Sequence, residues 1–99
     1  MNYAWPETKF VNKNNMYQQF DHVMSEIDEV NEIGPCGDLN RLVEELMDLH
    51  HSLETYFRIL ERDISPQYVC RRQAAVLRKN RDRGYCVGSS SADCGEEDQ

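Results

Sequence analysis

"EELMDLHHSLE", residues 44–54, is a helix by its spacing: Leu46, Leu49 and Leu53, with Leu42 just before them, recur at intervals of three and four. No strand period fits those positions. With Leu42 at zero and ~100° per residue, the apolar stripe centres near ~15°, Glu45 falls near ~−60° and Asp48 near ~−120°. Glu44 points almost directly away from the stripe. Two carboxylates thus flank an apolar surface, where they are less well solvated than on an open face.

The chain on either side extends this pattern. Asp38 is a plausible N-cap, and Leu39, Tyr56, Phe57 and Leu60 continue the stripe to about residue 62. Upstream, Met16, Phe20, Val23, Met24, Ile27 and Val30 form a second stripe, with Asn14 as its expected N-cap. That helix ends at "IGPCGD", where Gly34 suits a C-terminal cap and Pro35 prevents continuation. So short a loop predicts that the two helices pack antiparallel. Downstream, Ser65-Pro66 opens a third helix carrying Val69, Ala74, Val76 and Leu77 until Gly84. The expectation is an all-α antiparallel helical bundle with helices at 14–33, 38–62 and 66–83. Residues 1–13, which contain Trp5-Pro6, read as an extended N-terminal strap. Residues 14–87 read as the helical domain, and residues 88–99 as a flexible acidic tail.

A 99-residue chain buries a modest share of its surface, so part of its apolar face is expected to be covered by other subunits. The formal net charge of −7 excludes a general nucleic-acid binder, which shows a basic excess. Cys36, Cys70, Cys86 and Cys94 stand too far apart for paired zinc-ligand spacing. Neither a signal-peptide pattern nor a window of roughly 18 apolar residues is present. A reduced, cytoplasmic protein with free thiols and no membrane contact is expected.

On the first helix, Glu26 and Glu29 occupy the same flank of their stripe as Glu45 and Asp48 do of theirs. Each pair has i,i+3 spacing, so its carboxylates stand about one turn apart on one side. Taken singly, either pair suits a solvated face. Brought together by an antiparallel hairpin, four acids repel unless a cation sits among them, and an all-oxygen donor set favours Mg²⁺ or Mn²⁺ over zinc. Farther on, residues 71–83 hold six basic side chains against one acid, Asp82, a charge pattern suited either to phosphate or to a helix C-terminus.

With these residues in view, the sequence resembles the MazG-like group of all-α nucleoside triphosphate pyrophosphohydrolases, whose signature is E-x-x-E, a variable gap, then E-x-x-D. Glu26, Glu29, Glu45 and Asp48 match it. Lys79, Asn80, Arg83, Gly84 and Tyr85 in "LRKNRDRGYCV" look like the family's K-N-x-x-R-G-Y ending. The resemblance covers roughly residues 14–87 and implies Mg²⁺, or alternatively Mn²⁺, held by Glu26, Glu29, Glu45 and Asp48. It implies Glu26, Glu29 or Glu45 as the group acting on water, and Lys79, Asn80, Arg83 and Tyr85 as substrate contacts. The substrate would be a nucleoside triphosphate cleaved to monophosphate and pyrophosphate by a homodimer or homotetramer. Two other readings fit the same residues: a non-catalytic helical interaction module, and an enzyme of the phosphoribosyl-ATP pyrophosphohydrolase kind. His50, His51 and Trp5 read as structural.

Overall fold

Asn15, rather than Asn14, starts the first long helix. In the computed structural model, which describes residues 1–87, the Asn15 side chain accepts from the Gln18 amide at 2.8 Å, and the Gln18 side chain accepts from the Asn15 amide at 2.9 Å. This reciprocal pair satisfies two N–H groups that an open helix end leaves without partners. Asn14 ends a single preceding turn and donates through its side chain to Gln19 Oε1 at 2.9 Å. The strap is therefore not extended throughout. The order of elements is α1 (Phe10–Lys13), α2 (Met16–Ile33), α3 (Leu39–Asp63) and α4 (Pro66–Asp82), with no strand among the described residues. The all-α expectation holds, and the long helices lie within two residues of their predicted bounds.

Local chemistry sets the α2–α3 turn. The Gly34 amide donates to Val30 O at 3.1 Å, and a Cβ at Gly37 would lie 2.3 Å from the Ile33 carbonyl oxygen, so only glycine fits there undistorted. Asp38 Oδ1 then accepts from the amides of Asn40 (2.9 Å) and Arg41 (3.3 Å), capping α3. Ser65 caps α4 by accepting from the Tyr68 amide at 3.0 Å.

The chain forms two compact units, one spanning Tyr3–Ile59, the other combining Met1–Asn2 with the chain from Leu60 onward. In the first, α2 and α3 run antiparallel, as Gln19 meets Ser52 while Glu26 and Glu29 meet Glu45. The seam is more polar than the sequence suggests. Its buried members include Gln19, Val23, Ser52, Thr55 and Ile59, whereas Phe20 (51% exposed), Met24, Ile27, Leu46 (44%) and Leu53 remain exposed. The leucine stripe is thus only partly covered within this chain, with Leu42 and Leu49 half-buried. On α2 the seam positions 19, 23 and 26 lie about 100° around the helix from the apolar stripe, and α3 shows a similar offset. The apolar stripes and the contact line are different faces.

The N-terminal segment of this unit is latched onto α3. Glu54, buried, accepts from the amides of Ala4 and Trp5, both at 2.9 Å. Trp5 Nε1 donates to His50 Nδ1 at 2.6 Å, and its ring stacks on His51 at 4.9 Å between centroids. Arg58 donates to Trp5 O at 2.8 Å, and the Thr8 and Thr55 hydroxyls pair at 3.0 Å.

In the other unit, α4 buries Val69 and Ala74, and the Met1 ammonium group meets Glu61 at 3.3 Å. Cys36 and Cys86 are free and exposed. Cys70 is disulfide-bonded, so the free-thiol expectation does not hold for it. Cys94 and the predicted acidic tail lie outside the described residues. No helix among the described residues is long and apolar enough to cross a membrane.

Candidate metal centre

Three of the four predicted acids converge across the α2–α3 seam. Glu26, Glu29 and Glu45 each offer one carboxylate oxygen, and the three oxygens lie within 4.8 Å of one another. The i,i+3 spacing of Glu26 and Glu29 stacks them about one turn apart, and the antiparallel register delivers Glu45 opposite. Asp48 is exposed and supplies no oxygen to this set, although its charge reaches both Glu26 and Glu45.

The cluster is electrostatically costly. Burial, then close carboxylate contact with Glu29, then the charges of Glu29, Asp48 and Glu45 push the Glu26 carboxyl up from its usual 4.5 to about 7. The Glu45 carboxyl is also raised, first by burial and then by the charges of Glu29 and Asp48, with Arg41 acting in opposition. Glu26 Oε1 and Glu45 Oε1 are buried without a hydrogen-bond partner. Two buried carboxyl oxygens without partners, beside a third carboxylate, form a donor set that fits a hard divalent cation, since a positive ion would supply the missing partner and offset the repulsion between the ionised groups.

His22 is a member of this neighbourhood that the sequence reading overlooked. Gln19 Nε2 donates to Ser52 O and Ser52 Oγ, both at 3.1 Å, and Ser52 Oγ lies 2.9 Å from His22 Nδ1. The other ring nitrogen of His22, Nε2, lies 3.9 Å from Glu26 Oε2. The i,i+4 spacing of His22 and Glu26 was the available signal, but the shared partner Ser52 comes from another helix.

The basic ending is first of all a helix cap. Gly84, at φ 76°, donates to Arg81 O at 2.9 Å, and the Tyr85 amide donates to Asn80 O at 2.9 Å, the paired bonds of a Schellman motif. Lys79 O accepts from the Arg83 amide at 3.1 Å. The side chains of Lys79, Arg83 and Tyr85 are exposed, Asn80 is half-buried, and the Arg83 guanidinium lies 5.9 Å from the Tyr85 ring centre. These residues belong to the unit that begins at Leu60, and the acids to the other.

Compared with protein-family models, curated proteins and solved structures, the chain finds no match in any of the three.

Proposed function

We propose that this chain is a Mg²⁺-dependent nucleoside triphosphate pyrophosphohydrolase of MazG-like type, working as an assembly of two or four copies. The observation that carries the reading is the convergence of Glu26, Glu29 and Glu45, with buried Oε1 atoms on two of them left without partners. These three residues, with Asp48 one turn beyond Glu45, would hold the cation. Mn²⁺ is the alternative ion for the same oxygen donors. Bound Mg²⁺ would neutralise phosphate charge and acidify a coordinated water. A carboxylate of the trio takes up the proton of the water that attacks the α–β phosphoanhydride. The exposed Lys79 and Arg83 contribute positive charge for phosphate oxygens, Asn80 a polar contact and Tyr85 a ring for the base.

The test is pyrophosphate release from a panel of ribo- and deoxyribonucleoside triphosphates and phosphoribosyl-ATP with millimolar Mg²⁺. Turnover is expected for triphosphates, and Glu45→Gln is expected to abolish it while raising the melting temperature of the metal-free protein. Full turnover in Glu45→Gln removes that residue from the reaction. Release from phosphoribosyl-ATP alone transfers the reading to that enzyme class. No turnover, together with a melting temperature indifferent to Mg²⁺, leaves a helical interaction module, the reading that the exposed apolar stripes also favour.

A further inference from the structure

We infer that His22 is a positioning residue of the candidate metal centre: its Nε2–H faces Glu26 Oε2 and turns the carboxyl so that Oε1 is presented to the cation. This rests on the proposed reading of the acidic trio as a cation site and adds to it a residue that holds no ion itself. The ion-facing oxygens come from Glu26, Glu29 and Glu45, and His22 supplies no atom to that group.

The imidazole is held in place within one compact unit. Asn14 Nδ2 donates to Gln19 Oε1 at 2.9 Å, while Gln19 Nε2 donates to Ser52 O and Ser52 Oγ, both at 3.1 Å. With both ends of its amide engaged, the buried Gln19 cannot turn over without setting donor against donor. Ser52 Oγ, fixed in this way, lies 2.9 Å from His22 Nδ1, and the Phe10 ring packs on the imidazole at 5.2 Å between centroids. Anchored at Nδ1 and covered on one face, the ring directs its Nε2 edge at Glu26, one turn further along α2.

Two arguments place a proton on Nε2. Ser52 Oγ accepts from Gln19, so its own hydrogen is available to Nδ1. The opposite tautomer would set a nitrogen lone pair 3.9 Å from a carboxylate oxygen and repel it, whereas an N–H attracts it. Glu26 Oε1 is buried with no hydrogen-bond partner, so the oxygen that His22 does not face is the one left for an ion. Outer partners of this kind orient a ligating side chain, and their loss typically weakens metal binding ~10–100-fold.

Calorimetric titration of Mn²⁺ into the metal-free full chain tests the assignment without any nucleotide. An asparagine amide falls near the place of Nδ1 and a glutamine amide near that of Nε2, so the two substitutions separate the Ser52 contact from the Glu26 contact. His22→Asn is expected to weaken Mn²⁺ binding at least about tenfold, and His22→Gln to stay within about threefold of the parent, with helical circular dichroism retained in both. Binding unchanged in His22→Asn, or weakened as much in His22→Gln, would overturn this inference alone and leave the cation site standing. No Mn²⁺ binding by the unaltered chain at millimolar ion removes the cation site and this inference with it. Nitrogen-15 spectra of the His22 ring in the unaltered chain, in weakly alkaline buffer, give a reading that does not depend on how a variant folds. Hydrogen on Nε2 is expected; hydrogen on Nδ1 and not on Nε2 overturns the inference.

Discussion

Burial and three neighbouring acids hold the Glu26 carboxyl near pH 7, and the sign of its effect on folding follows directly. The folded state retains this proton more tightly than the unfolded chain, so folding is penalised as pH rises from about 4.5 to about 7, and the penalty is complete above that. Metal-free protein is therefore expected to melt at a higher temperature at pH 5.5 than at pH 7.5. Glu26→Gln should shrink that difference, leaving the part owed to the raised Glu45 carboxyl, and millimolar Mg²⁺ should reduce it; thermal melts with and without chelator check both. At this scale the sequence was partly legible. Duplicate i,i+3 acids on matching flanks foretold that Glu26, Glu29 and Glu45 meet. The exposed position of Asp48 depended on how far each side chain reaches, and His22 enters through Ser52, thirty residues away in the chain. Spacing along one helix encodes neither.

The end of α4 separates cap from recognition. Gly84→Ala forces a Cβ into the left-handed region although nothing lies within 4 Å, so it should cost about 1 kcal/mol in denaturant unfolding without abolishing nucleotide turnover. Arg83→Ala keeps the backbone cap and should alter stability little. On the proposed function it should reduce kcat/KM about tenfold to a hundredfold, because a charge-assisted phosphate contact is worth roughly 1.5–3 kcal/mol. Steady-state kinetics beside urea titrations distinguish the two effects. Helix ends were legible because Asp38, Gly34 and Ser65-Pro66 act on their own neighbours. The seam was not, because hydrophobic period reveals which face of a helix is apolar and is silent about which partner covers it. Leu46 and Leu53 consequently look outward while Ser52 and Thr55 face in.

Across the molecule, long-range order in the first unit rests heavily on Glu54, which gathers two backbone amides from a segment some fifty residues earlier. Glu54→Ala strands both donors and should cost about 2–4 kcal/mol, with a red shift of emission from Trp5, the sole tryptophan. An unshifted spectrum would mean that the contacts of Trp5 with His50, His51 and Arg58, with the Thr8–Thr55 pair, hold the strap without Glu54. The hairpin itself is chemically lopsided. Away from its loop, Gln19, Ser52 and His22 satisfy one another, whereas nearer the loop Glu26, Glu29 and Glu45 repel. Without a cation, local opening should begin at the acidic end and stop at the Gln19–Ser52 link, so amide hydrogens of residues 26–29 and 45–48 should exchange with solvent before those of 19–23 and 52–55. A bound ion would then act as a clasp, and the slowing of exchange at the loop end would report its occupancy without any substrate being turned over.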